Sequence, residues 1–244
     1  MSLTSPGNAQ EEKKKRGFWF SSSKRSKSET ESKEPRNTEG AASPVKLGLS
    51  SGVAYIPQEL KELAQEGANA IAKGQWSEAR ELYLKMVLQA PDNPLAYANL
   101  GVAEYQMKNF VAAEGNLKKS LELNSTIAQN WTTLGLIQFE KGDLILAISS
   151  LTRAIHEDPN SAQAHLYLAA VAYDYGWTTA AIDELKRVIE LDPKHIEAHF
   201  NLALTYIGMK PQKLELARRH YFEAKALGAP PHQGIEKLLG NLPE

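Results

Sequence analysis

His195 and His199 stand four residues apart, the spacing at which two imidazoles on one helix face can ligate a single divalent metal. The surrounding residues argue against that use. Asp192-Pro193 ends a helix just before His195, because the residue preceding a proline avoids helical angles, so His195 falls in a turn and the pair does not share a helix. His156, His220 and His232 have no evident partner in the sequence. The chain has no cysteine, which removes thiol nucleophiles, thiolate metal sites and disulfides, and fits a reducing compartment. Every glycine of the body reads as a helix crossing, a turn or a terminus, so none forms a phosphate-cradling loop, and no nucleophile motif stands out. The expectation is a chain that is not an enzyme, with no catalytic residue, no metal and no cofactor.

A second chemistry-bearing cluster lies near the N-terminus. Lys13, Lys14, Lys15 and Arg16 precede Phe18, Trp19 and Phe20, and Lys24 and Arg25 follow. Cations beside aromatics suit an anionic membrane surface, where each basic side chain contributes about 1 kcal/mol and the rings insert among headgroups. A solvated charge run is the plainer reading, and stacking on nucleic acid a third. The last is disfavoured by charge: residues 1–50 hold ten Lys and Arg against six Glu, whereas residues 51–244 hold 18 against 23 Asp and Glu. An acidic body repels phosphate. Ser21, Ser22 and Ser23 sit inside the cluster, where phosphorylation would cancel its charge.

The elements that must carry these residues follow from composition and period. Residues 1–46 are rich in Ser, Glu, Lys, Thr and Pro with few branched apolar residues, the signature of a disordered tail. Residues 47–56 read as a linker, and Pro57 suits the first position of a helix. No apolar run reaches the roughly 18 residues that cross a bilayer, and no signal-peptide core is present. The expected location is cytoplasmic, with the tail able to hold the chain peripherally at the inner membrane face. From residue 57 to 240 amphipathic helices come in pairs at a fixed period of 34: Leu100-Gly101, Leu134-Gly135, Leu168-Ala169 and Leu202-Ala203 are successive copies of one position. The repeats span 60–93, 94–127, 128–161, 162–195 and 196–230, and the third, from Trp131 to Pro159, is the most complete.

Small residues recur where paired helices must cross: Gly67, Gly101, Gly135, Ala169 and Ala203 on the first helix, Ala79, Ala113, Ala147, Ala181 and Ala217 on the second. Pro91, Pro159 and Pro193 end the second helices, and Asn124-Ser125 stands in place of proline in the second repeat. In the fifth, Lys210-Pro211-Gln212-Lys213 delays the alanine by two positions. Residues 233–239 predict a short helix covering the last repeat, as terminal repeats require.

This constellation resembles the tetratricopeptide repeat (TPR) family over roughly 70% of the chain, and the lengthened last repeat is similar to that of bacterial members. The resemblance implies an all-α solenoid, a right-handed superhelix of antiparallel pairs, that binds a protein or peptide segment in a concave groove lined by the first helix of each pair. Carried onto this chain, the groove residues are Val102, Tyr105, Gln106, Gln129, Thr132, Leu136, Phe139, Glu140, Leu166, Tyr173, Asp174 and Phe200. Its floor is apolar and aromatic and its flanks are neutral to acidic. The family's carboxylate clamp is lost, since Ala64, Ala68, Gln129 and Thr133 replace all but Asn99, and its asparagine ladder is broken at Gln65, Thr133 and Tyr167. The implied function is a non-catalytic adaptor or scaffold. A peripheral membrane assembly factor using the tail and a self-associating homo-oligomer are the other two readings.

Overall fold

The computed structural model describes residues 58–240, which form helices and connecting turns without a strand. They divide at Pro159–Asn160 into two compact units. The basic-aromatic cluster of residues 13–25, together with the tail and linker, lies outside the described residues.

The first unit holds three antiparallel pairs: α1 (Gln58–Ala72) with α2 (Trp76–Gln89), α3 (Pro94–Gln106) with α4 (Phe110–Leu123), and α5 (Ala128–Lys141) with α6 (Leu144–Glu157). The second unit holds α7 (Ala162–Tyr175) with α8 (Thr178–Leu191), α9 (Ile196–Gly208) with α10 (Leu214–Ala226), and the short α11 (Gln233–Gly240).

The first four pairs close through the same turn chemistry. An amide in the turn, two or three residues past the first helix, bonds back to a carbonyl five positions earlier: Gln75 N to Ala70 O and Asn109 N to Glu104 O at 2.8 Å, Asp143 N to Gln138 O at 2.9 Å, Trp177 N to Ala172 O at 2.8 Å. This Schellman closure needs a left-handed residue, which Gly142 supplies at φ 86°. In the second repeat Lys108 takes that conformation at φ 63°, with no glycine to ease it. Asn109 braces the turn instead, its Nδ2 donating to Glu104 Oε2 at 2.7 Å.

Three of the first helices start on a side-chain cap, from Asn93, Ser161 and His195, whereas α5 starts at Ile127 without one. Asn93 Oδ1 accepts from Leu95 N at 2.9 Å and Ala96 N at 3.2 Å, with Pro94 opening α3. Ser161 Oγ accepts from Ala164 N at 3.2 Å to start α7. Where the second repeat lacks proline, Asn124 Oδ1 accepts from Thr126 N at 3.0 Å and the Trp131 indole donates to Ser125 O at 2.8 Å. Trp131 therefore spans this turn.

The crossings are as close as the small residues require. A Cβ on Gly135 would lie 2.7 Å from Leu151 Cγ and 3.3 Å from the Ala147 carbonyl, and one on Gly101 would lie 2.8 Å from Leu117 Cγ. The alanines Ala79, Ala113, Ala147, Ala181 and Ala217 are fully buried. Gly115 departs from the expectation for glycines: it sits within α4 on an exposed face, with open space around its Cα. Such a position has no packing signal that sequence could reveal.

In the second unit the lengthened fifth turn ends with Lys213 N bonded to Tyr206 O at 3.0 Å, and α10 resumes in register with Ala217 buried. Helix α11 is present where the sequence places a cap. Ile235 and Leu239 enter the cluster built around Leu185, Leu202 and Tyr221, while Lys225 Nζ meets Glu236 Oε1 at 2.6 Å. The Tyr221 hydroxyl donates to Glu236 Oε1 at 3.2 Å and accepts from His232 N at 2.7 Å. These bonds fasten the chain reversal at Gly228–Pro231 to the body of the repeat.

Candidate functional site

The candidate surface is the one the family resemblance implies, a stripe on the first helix of each pair, whose members share a helix face by their spacing. Within the first unit the residues of α3 and α5 sort by depth. Val102 and Thr132 are buried, the latter turning its hydroxyl to the Ala128 carbonyl at 3.1 Å, and Phe139 is only 6% exposed. Tyr105, Gln106, Gln129 and Leu136 are half-buried, and Glu140 is exposed. Tyr105 leans on Phe110 with ring centroids 5.9 Å apart. The buried members hold the helices together, and the half-buried ones form the accessible rim.

Within the second unit Leu166 is buried, while Tyr173, Asp174 and Phe200 are half-buried. The Tyr173 hydroxyl reaches the start of the turn after α9, 2.9 Å from where a Cβ on Gly208 would stand. Phe200 rests against Tyr221, centroids 6.2 Å apart. Three further residues join this face: Gln163 Nε2 donates to the Tyr167 hydroxyl at 3.1 Å, and Tyr167 couples electrostatically to Glu197. Burial pushes the Tyr167 phenol and the Glu197 carboxyl up from their ordinary values. Tyr167 reads in sequence only as a break in a polar ladder, so its place here is visible only once α7 and α9 are in position.

The histidines take structural roles. His195 Nδ1 accepts from Ala198 N at 3.3 Å and caps α9, so it does not join His199 in a metal pair. His199 Nε2 lies 3.2 Å from the Pro193 carbonyl and its Nδ1 is 3.1 Å from His220 Nδ1. A carbonyl can only accept, so the His199 Nε2–H donates to Pro193 O, and the two Nδ1 atoms share one hydrogen bond. His220 thus has a partner that its sequence position does not reveal. Burial first, then His199, Arg219 and Lys186, holds its pKa down at about 4. His165 Nδ1 pairs with Glu184 Oε2 at 2.6 Å, and His232 Nδ1 accepts from Ile235 N at 3.3 Å to start α11. Among the described residues no group of three or more His, Asp or Glu side chains is placed to hold a metal ion, and no helix is long and apolar enough to cross a membrane.

Successive helix pairs of similar size, four of them closed by one turn and offset by 34 residues, define a helical repeat protein. The family model of the tetratricopeptide repeat matches residues 65–125 and 132–196, and the chain belongs to that family. No curated protein sequence matches it. Among solved structures, the crystal structure of MamA is 25% identical with a TM-score of 0.59, covering 71% of this chain and 96% of that one. PilF of Pseudomonas aeruginosa is 17% identical with a TM-score of 0.68, covering 75% and 86%. YrrB, described as a TPR protein with an unusual peptide-binding site, is 18% identical with a TM-score of 0.58, covering 76% and 99%.

Proposed function

We propose that this chain is a non-catalytic interaction scaffold that binds an extended or helical segment of a partner protein along the first-helix faces. The observation that carries this reading is the layering of α5: Thr132 and Phe139 are buried, while Leu136, half-buried, and Glu140, exposed, stand one turn apart on the same helix. A face with an apolar anchor beside a carboxylate suits a partner carrying an apolar residue and a basic one. The peptide-binding site described for YrrB supports this class of function.

The test is capture of partners by wild type against the double variant Leu136→Ala/Glu140→Lys, followed by mass spectrometry. The expected result is loss of the captured set with melting shifted by less than about 1 kcal/mol, as for substitutions outside the packed core. Unchanged capture would overturn the assignment of this face. Phe139→Ala is the wrong probe, because emptying a buried aromatic site costs about 3–5 kcal/mol and would confound binding with folding.

A further inference from the structure

Within the second unit one pair of positions reverses its charge between successive repeats. His165 of α7 pairs with Glu184 of α8, Nδ1 to Oε2 at 2.6 Å. His199 of α9 stands 34 residues after His165, and His220 of α10 stands 36 after Glu184, the extra two being the lengthened turn. Asp183-Glu184 of α8 are thereby replaced by Arg219-His220 in α10. His199 keeps its place and loses the carboxylate: its Nδ1 meets His220 Nδ1 at 3.1 Å, with ring centroids 5.3 Å apart.

The cations around this pair are left without acids. Arg219, exposed on the same helix, and Lys186, exposed on α8, both act electrostatically on His220, and no carboxylate does. Neither forms an ion pair with a described residue. On α8, Glu184 is held by His165 and Glu190 by Arg187. Tyr206 of α9 stacks on the His220 ring, centroids 6.0 Å apart, and His220 is half-buried with its Nε2 making no hydrogen bond among the described residues. A guanidinium, an ammonium and an imidazole offer more donors than one carboxylate can use, and they match the several oxygens of a phosphoryl group.

We propose that His220, Arg219 and Lys186 form a binding site for a phosphoryl group, which stands in for the carboxylate that the preceding repeat carries itself, with His220 Nε2 protonated and donating to it. Free phosphate and a phosphate monoester share this chemistry. Burial opposes protonation of His220, and so do the charges of His199, Arg219 and Lys186. A bound anion offsets those charges, so anion binding and proton uptake strengthen each other. The site uses no residue of the face tested through Leu136 and Glu140, so the two readings fail separately.

The ring resonances of the six histidines in the full-length protein report on the site by NMR as inorganic phosphate replaces chloride at constant ionic strength, with His220→Phe assigning the signal. At about pH 6 the shift at His220 is expected to saturate, and its titration midpoint to rise by roughly one unit or more, a tenfold coupling of proton to anion. Arg219→Gln and Lys186→Gln should each weaken binding severalfold. His220→Glu restores the arrangement of the preceding repeat; it should abolish binding and melt no lower than wild type, a melting curve on each variant establishing that it is folded. A shift that grows with phosphate without saturating overturns the proposal, as does saturable binding retained by His220→Glu. Equal saturation by acetate overturns the assignment to a phosphoryl group. O-phosphoserine binding tighter than inorganic phosphate assigns a phosphorylated side chain as the ligand and weaker binding assigns the free anion, and either result upholds the site.

Discussion

At the residue scale, two buried polar groupings depart from the repeat pattern. Ser120 and Asn130 occupy positions that are Ala154 and Ala164 in the next repeat and Val188 and Ala198 in the one after. Both are buried; Asn130 Nδ2 donates to Ser120 Oγ at 2.7 Å, and Ser120 Oγ donates to the Pro94 carbonyl at 2.5 Å. The pair is a coupled swap, apolar for polar on both sides of one repeat junction. Ser120→Ala alone strands the Asn130 amide and is expected to cost about 1–3 kcal/mol. Adding Asn130→Ala restores the composition of the later repeats and should recover most of that loss, so urea unfolding of the four proteins will show strong non-additivity. His220 gives a second prediction. Its pKa is about 4 when folded against 6.5 when exposed, so between these values the unfolded chain binds more protons. Its contribution to stability is therefore complete above pH 6.5 and lost as pH falls toward 4. The groups facing it are His199 and Tyr206 from α9, Arg219 from its own helix and Lys186 from α8. Melting followed from pH 7 to 4.5 should fall more steeply in wild type than in His220→Phe.

At the scale of elements, two glycines that look alike in sequence have opposite meanings. Gly115 lies within α4 facing open space, so Gly115→Ala should stabilise by about 0.8–1 kcal/mol through helix propensity alone. Gly135 lies where α5 crosses α6 against Leu151, and Gly135→Leu should destabilise by at least about 1–3 kcal/mol as the crossing is forced apart. Thermal melting of the two variants checks both signs. The glycine positions at crossings were legible because they recur every 34 residues. Lys108 was not, because its left-handed turn is held by Asn109 bonding to Glu104, a compensation outside the repeating set. Helix α11 was legible from its apolar spacing, but its attachment was not. That needed Tyr221, Lys225 and Glu236 brought together by the reversal after α10. Leu239→Ala, at a fully buried site, should cost about 2–5 kcal/mol and raise hydrogen exchange in α10.

At the scale of the whole molecule, a repeat array is stabilised mainly by neighbour against neighbour, so damage should stay local. Gly135→Leu is expected to accelerate amide exchange throughout α3–α6 while α9–α11 keep most of their protection, which hydrogen-exchange mass spectrometry can read. The sequence by itself determined the all-helical class, the 34-residue period, the crossing residues and the terminal cap. These depend on local spacing and on size limits that recur, so repetition makes each visible several times over. Spacing also grouped the residues of one stripe on each first helix, because side chains three and four apart share a face, while the use of that stripe as a groove is what the family resemblance implies. Only the tertiary structure decided the depth of each residue in that stripe. Val102, Thr132, Phe139 and Leu166 sink into the packing, while Tyr105, Leu136 and Phe200 remain partly accessible and Glu140 exposed. It alone also brought His199 to His220 and Glu197 to Tyr167. The reason is physical: burial and electrostatic partnership depend on helices that are distant in sequence, and no periodicity within one helix encodes what its neighbour places opposite.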